Sequence, residues 1–390
     1  MKLPIYLDNN ATTPMDPQVF ESMKPYFIEK FGNASSKNYS FGWEAKSAVD
    51  LARKQITKLI KAEPNEIVFT SGATESINLA LKGTAVAYCS KGRHIISSVI
   101  EHSAVLDTLS YLGKIGFEIT LLPVNEDGLV STKKLEESIR PDTILVSIMT
   151  ANNEIGTIQN VKEMGRICSE RDILFHTDAA QAIGKIPFDV KENNIDLVSF
   201  TAHKFYGPKG IGALFIKKKP KQIKIIPQML GGGHENGLRS GTLNVPGIVG
   251  FGKSAEICSR IILEESKNIE RFRNKLYKGI VTHLNGIKLN GSLNDRLPNN
   301  LNISIDGIKS ESFILEMKDI AVSAGAACSS ESLKPSHVLL AIGKSKEEAQ
   351  SSIRFGLGRF NTEEEVDYTI RRVVEAVEKL RAVSPTYSRN

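Results

Sequence analysis

Short apolar runs alternate with stretches of helical periodicity along the first two-thirds of this chain, and this alternation most limits what it can fold into. The runs expected as strands are Glu66–Thr70, His94–Ser97, Glu118–Pro123, Thr143–Met149, Leu174–Thr177, Leu197–Phe200 and Ile211–Ile216. Helical patterns lie between most of them. In Trp43–Ile60, for example, Ala45, Ala48, Val49, Ala52, Ile56, Leu59 and Ile60 share one face. A strand that is apolar throughout is buried on both faces. A series of such strands joined by helices builds a mostly parallel, doubly covered sheet, hence an α/β fold. In such a sheet, functional groups belong at the carboxyl ends of the strands.

Chemistry-bearing residues follow several of these runs. Glu101-His102 comes after His94–Ser97, Asn152-Asn153-Glu154 after Thr143–Met149, Asp178-Ala179-Ala180-Gln181 after Leu174–Thr177, and His203-Lys204 after Leu197–Phe200. Taken singly, each has an ordinary explanation: a helix-start histidine, a turn asparagine, a capping aspartate. Their joint occurrence at one end of one sheet points to a site.

Lys204 is the most informative of them. It ends a buried run, and Gly207-Pro208 and Gly210 then turn the chain back. Partial desolvation favours the neutral amine, which can form a Schiff base with a carbonyl, and Thr201 and His203 beside it could hold a phosphate. Together they suggest a lysine that carries pyridoxal phosphate, although an ion-paired strand-end lysine fits the segment equally well. Ser71-Gly72-Ala73-Thr74-Glu75-Ser76 joins a strand to a helix expected from Ile77 to about Tyr88. It reads as a phosphate cradle or as a simple helix cap. The polar arm Asn9-Asn10-Ala11-Thr12-Thr13-Pro14 reads as a surface connection, and Gly231–Thr242 as a mobile glycine-rich loop.

The chain has 390 residues, 41% hydrophobic and 24% charged, with a net charge of +6. That suits a two-domain globular protein. The expected division is a large cofactor-binding domain over 15–260 and a smaller α+β domain over 261–390, joined by the arm 1–14. There is no membrane-length apolar run, no secretory leader pattern and no basic-aromatic motif for nucleic acid. The four cysteines have no metal-ligand or disulfide spacing, which fits a reducing cytoplasm. Cys89, Cys168 and Cys258 lie in helical patterns and read as structural. Cys328 lies in Ser323-Ala324-Gly325-Ala326-Ala327-Cys328-Ser329-Ser330, among small residues, and reads as a reactive thiol.

At this point the residues form a familiar set. Tyr6–Thr13, Thr70–Ser76, Asn152–Gly156, Asp178–Gln181, Ala202-His203-Lys204, Arg239-Ser240-Gly241-Thr242, the Cys328 segment and Ser352-Ile353-Arg354-Phe355 stand in this order. The chain resembles the cysteine desulfurases of the NifS/IscS type, which are pyridoxal-phosphate enzymes of the class-V aminotransferase family with the aspartate-aminotransferase-like fold (fold type I). The resemblance implies conversion of L-cysteine to L-alanine with the sulfur left as a persulfide on an enzyme cysteine. It assigns catalytic roles to Lys204, His102 and Cys328. Ala73, Thr74, Thr201 and His203 would hold the cofactor's phosphate, with Thr242 reaching it from the neighbouring subunit of a homodimer. Asp178 would pair with the ring nitrogen and Gln181 with the phenolic oxygen. Asn153 and Arg354 would fix the substrate carboxylate.

The resemblance also implies a cytoplasmic protein that passes sulfur to acceptors such as an iron–sulfur scaffold, with a [2Fe-2S] cluster shared with Cys328 in a scaffold complex. Transfer RNA thiolation and cofactor synthesis are other destinations. Two departures stand out. The chain stops at Asn390, short of the tail that docks the scaffold in many relatives, and alanines stand at 324 and 326 where serines are common. A selenocysteine lyase, another enzyme of the same fold, and a non-catalytic sulfur-carrier assembly protein remain as other readings.

Overall fold

The computed structural model describes residues 2–218, 222–324 and 335–383. In chain order, β1 (Ile5–Tyr6) lies in the arm. The large sheet is built from β2 (Ile67–Thr70), β3 (His94–Ser98), β4 (Glu118–Leu122), β5 (Thr143–Ser147), β6 (Leu174–Asp178), β7 (Leu197–Thr201) and β8 (Gly212–Ile216). After it come β9 (Ile287–Leu289), β10 (Asn300–Ile305), β11 (Ile320–Ala321), β12 (Ser323–Ala324) and β13 (Ser352–Gly356).

The large sheet has the order β2-β8-β7-β6-β5-β3-β4. Every pairing is parallel except those of β8, which runs against both its neighbours. Its reversal has a local cause: β8 follows β7 directly through the Gly207–Gly210 turn, with no helix long enough to make a crossover. The two faces of the sheet are both buried. Phe69, Ile96, Val146, Phe175, Val198 and Phe215 face one core, with the helix Ser40–Ile60 over them. Val68, Ile95, Leu145, Leu197 and Leu214 face the other, beneath the helices Ala73–Tyr88 and Ser103–Lys114. Neighbouring strand residues thus enter opposite cores, which is why the runs read as unbroken apolar segments.

A second core lies around the antiparallel sheet β12-β13-β10-β9. The 39-residue helix Val245–His283 links the two: Ile248, Phe251 and Cys258 pack in the first core, and Phe272, Leu276 and Ile280 in the second. At 1.5 Å per residue it spans roughly 58 Å. The arm joins the second core through Ile5 and Leu7, and β1 pairs in parallel with β11.

Several local expectations change. The helix expected from Ile77 begins at Ala73, so Ala73 and Thr74 form its first turn and not a preceding loop. The Gly231–Thr242 stretch is anchored: Glu235 is buried, accepts from Arg53 Nη2 at 2.7 Å and from the Phe69 N–H at 2.8 Å, and sits in a short 3-10 turn. Of the cysteines read as structural, Cys168 and Cys258 are buried, whereas Cys89 ends its helix exposed. A short helix at Lys346–Gln350, closed by a Ser345/Glu348 capping box, had no counterpart in the sequence reading.

Candidate active site

All the parallel strands present their carboxyl ends to one side, and a cavity of about 580 Å³ opens there. Ten of the twelve candidate residues line it: Ala73 and Thr74 from the helix after β2, His102 after β3, Asn153 after β5, Asp178 and Gln181 at the end of β6, Thr201, His203 and Lys204 at the end of β7, and Arg354 from β13. Thr242 is exposed and does not line the cavity of its own chain. Cys328 lies outside the described residues.

The lysine side of the cavity is a closed hydrogen-bond network. Lys204 Nζ donates to the carbonyls of Asn10 and Ala11, each at 2.6 Å. Gln181 Nε2 donates to the same Asn10 carbonyl at 2.9 Å, and Asn10 Nδ2 donates back to Gln181 Oε1 at 3.1 Å. A second lysine, the buried Lys185, donates to Gln181 Oε1 at 3.1 Å. Burial, with Lys204 and Arg354 nearby, brings the Lys185 amine down to about 7. Asp178 Oδ1 accepts from the Ala180 N–H at 2.9 Å. Burial raises the Asp178 carboxyl, and the Ala180 N–H, His102 and Lys204 oppose that rise.

The polar arm is therefore part of the site and not a surface connection. Asn10, Ala11 and Thr12 line the cavity, and Thr13 accepts from the Tyr206 N–H and donates to the His203 carbonyl. The available signal was a run of amide and hydroxyl side chains with no strand or helix pattern of its own. Such runs are common in loops, so only the tertiary structure shows that this one folds back over Lys204.

The opposite side is an anion cradle. The helix Ala73–Tyr88 starts at Gly72, where no side chain caps it, so the first-turn N–H groups face the cavity mouth. A Cβ on Gly72 would meet only Thr201 Oγ1, at 4.0 Å, so the glycine leaves room on that side. Gly212 is needed behind it: a Cβ there would stand 2.6 Å from Gly72 Cα and 2.7 Å from the Phe200 carbonyl. Glu75 braces the turn, accepting from the Ser71 N–H at 2.7 Å and from Arg239 Nε at 2.8 Å. Thr201 Oγ1 donates to the Ile211 carbonyl, so its hydroxyl would have to turn to donate to a phosphate. His203 Nδ1 lies 3.0 Å from Thr12 Oγ1. Burial, with Lys204, Lys209 and Lys185 nearby, lowers the His203 ring to about 4 and keeps it neutral.

His102 caps the helix Ser103–Lys114: its Nδ1 accepts from the Ala104 N–H at 3.1 Å. In the neutral ring the proton then sits on Nε2. Arg354 is buried, donating to the Asn153 carbonyl at 2.9 Å and to Asp8 Oδ1 at 2.8 Å. Two buried carboxyls stand behind these loops. Burial raises Glu101 to about 8; its Oε1 accepts from Ser98 and the Met149 N–H, and its Oε2 has no partner among the described residues. Burial raises Glu154 to about 7, and it accepts from Ser336.

An amine, a buried carboxyl and an uncapped helix start line one cavity, groups that suit an aldehyde-bearing, phosphorylated aromatic cofactor, and the fold is that of the type I transferases. The class-V aminotransferase model matches residues 5–369. A cysteine desulfurase IscS from Anaeromyxobacter sp. (strain Fw109-5) is 54% identical over 99% of this chain and 96% of the relative. One from Cronobacter sakazakii is 51% identical over the same shares. Among solved structures, a NifS-like protein superposes with a TM-score of 0.90 at 42% identity, covering 97% of this chain and all of that one. SspA, solved in complex with cysteine, superposes at 0.82 with 38% identity over 92% of this chain and all of that one. The chain belongs to the class-V aminotransferase family and, within it, to the cysteine desulfurases, whose members use pyridoxal phosphate.

Proposed function

We propose that this protein binds pyridoxal phosphate on Lys204 and moves sulfur from L-cysteine to Cys328. The observation that carries the reading is the meeting of Lys204, Asp178, His102 and Arg354 around one cavity with an uncapped helix start on its far side. The donor set fits the group. Uncapped N–H groups and Thr74 suit a phosphate, a buried carboxylate suits a protonated ring nitrogen, and a lysine amine suits an aldehyde. When bound, the cofactor supplies an aldehyde that exchanges between amines and a ring that accepts electron density from the substrate's Cα.

The chain's own residues do the rest. Lys204 leaves the Asn10 and Ala11 carbonyls and serves as the amine that is displaced, and then as the base for the Cα proton. Asp178, desolvated and opposite it, holds a proton on the ring nitrogen. Gln181 Nε2 would donate to the phenolic oxygen, and His102, with its proton on Nε2, would serve in proton transfer beside the ring. Ala73, Thr74, Thr201 and His203 hold the phosphate, with Thr242 of the neighbouring subunit, which makes a homodimer the working unit. Arg354 and Asn153 fix the substrate carboxylate; a guanidinium grips it in two places.

Cys328 attacks the substrate sulfur as a thiolate. The Cβ–S bond breaks, an S–S bond forms on Cys328, and the carbon skeleton takes up a proton and leaves as L-alanine. Both described ends of the Cys328 segment are tied to the cavity walls. Ser323 pairs with Arg354 and donates to Asp8, and beyond the segment Ser336 donates to Glu154 while His337 Nε2 lies 3.2 Å from the Glu101 carbonyl. Cys328 is four residues from Ala324, a reach of up to about 14 Å. A cytoplasmic protein handing sulfur to an iron–sulfur scaffold or a similar carrier completes the proposal.

The test is to feed L-cysteine to the loaded enzyme and to Cys328→Ser. Both should show the cofactor's visible band. Only the former should yield alanine in step with protein-bound persulfide. A persulfide on another cysteine in Cys328→Ser would move the nucleophile, and selenide release far outpacing sulfide release would make the protein a selenocysteine lyase.

A further inference from the structure

We propose that Lys185 is a positioning residue: its Nζ–H donor helps to fix which way the Gln181 amide faces, and so sets the hydrogen bond that Gln181 can offer to the cofactor's phenolic oxygen. This rests on the reading of Gln181 given above. Lys185 is buried, and the pocket on its far side has only about 10 Å³, too little for a substrate. It cannot touch reacting atoms and acts through its neighbour.

The geometry is a pair of amides held between two amines. From behind, Lys185 Nζ donates to Gln181 Oε1. From the cavity, Lys204 Nζ donates to the Asn10 carbonyl, which also accepts from Gln181 Nε2. Asn10 Nδ2 closes the ring onto Gln181 Oε1. An amide can turn over and exchange its donor for its acceptor. Asn10 could do so and offer its Oδ1, which is buried without a partner among the described residues. An ammonium cannot, because it has donors only. A neutral amine keeps two N–H donors but gains a lone pair, and there the Asn10 carbonyl, an acceptor only, still calls for Nε2. Lys185 therefore helps to hold Oε1 on the buried side and leaves Nε2 as the group facing the cavity.

The experiment follows the visible band of the full-length protein loaded with pyridoxal phosphate from pH 6 to pH 10. Lys185→Met replaces a buried charge by an apolar side chain of similar size, a change that buried sites commonly tolerate; melting curves check that it folds. Loss of the donor behind Gln181 weakens its hydrogen bond to the phenolic oxygen and favours the protonated chromophore, so the midpoint should rise by about half a pH unit or more. Gln181→Leu should raise it as well, and the double variant should go no further than Gln181→Leu alone. Lys185→Gln keeps an N–H donor without the charge and should shift the midpoint less than Lys185→Met. An unchanged midpoint in folded Lys185→Met, additive shifts in the double variant, or equal shifts for Met and Gln at 185 would each overturn the proposal. Absence of any band in the unsubstituted protein would instead overturn the cofactor reading.

Discussion

The two walls of the cavity are finished to different degrees. On the lysine wall, Asn10 and Gln181 close a ring of two hydrogen bonds into which Lys204 and Lys185 donate from either side. On the cradle wall, the first turn of the helix Ala73–Tyr88 has no capping side chain, and its glycine leaves space toward Thr201. Helix starts are usually capped. The contrast teaches that the chain itself organises the lysine side, whereas the opposite wall keeps an uncapped helix start that suits an anion. On the proposed function, the reactive groups are preorganised and a cofactor phosphate would supply the anchoring.

The substitution that most sharply breaks the lysine wall is Lys204→Ala. Turnover of L-cysteine should fall by about a thousandfold or more, since both the displaced amine and the proton carrier are lost. Activity within tenfold of the unsubstituted enzyme would remove Lys204 from that role. Next comes Gly212→Ala, which strikes the cradle from behind without touching the ring of amides. Its Cβ meets Gly72 and Phe200 backbone atoms, and overpacking of this kind costs about 1–3 kcal/mol. Cofactor affinity should drop by about tenfold or more, with the position of the visible band unchanged; a shifted band would mean the two walls are not independent.

Arg354→Lys should raise KM for cysteine by about tenfold and change kcat less, because a point charge replaces a two-pronged grip. A fall confined to kcat would argue against carboxylate binding. A smaller effect is expected from Thr74→Val, which removes one hydroxyl from the cradle: about 0.5–1.5 kcal/mol in cofactor affinity, read by equilibrium titration of the stripped protein.

The smallest effect is on stability. Glu101 stands next to His102, between the ends of β3 and β5, where burial raises its carboxyl from 4.5 to about 8. Above pH 4.5 the unfolded chain gives up this proton while the folded one keeps it. The stabilisation is therefore complete below about pH 4.5 and is lost as pH rises through about 8. Glu101→Gln should flatten that decline, raising the melting temperature more at pH 8 than at pH 5. Parallel melting curves for the two proteins would contradict it.

The sheet and the strand-end residues were legible because burial on both faces leaves an unbroken apolar signature, and the catalytic types stand directly after it. Lys204, Asp178, Gln181 and His102 could be found in this way. The arm could not, because it meets Lys204 through backbone carbonyls, which any residue has, and its amide and hydroxyl side chains are of the kind common in loops. Lys185 was equally hidden: in sequence it is one lysine among fifty cationic residues, and it is buried where its turn meets the long helix at Ser266 and Ile269, with Tyr206 and Asn299 beside it. The reversal of β8 and the anchoring of Glu235 likewise depend on contacts far apart in the chain.

On the proposed function, the cavity binds an aldehyde cofactor through one particular lysine, Lys204. Borohydride reduction of the loaded protein, followed by peptide mapping, tests it directly. The account predicts a single phosphopyridoxyl mark on Lys204, in the peptide that follows β7. A mark on Lys185 or on any other lysine, or no mark on a protein that still turns over L-cysteine, would contradict it.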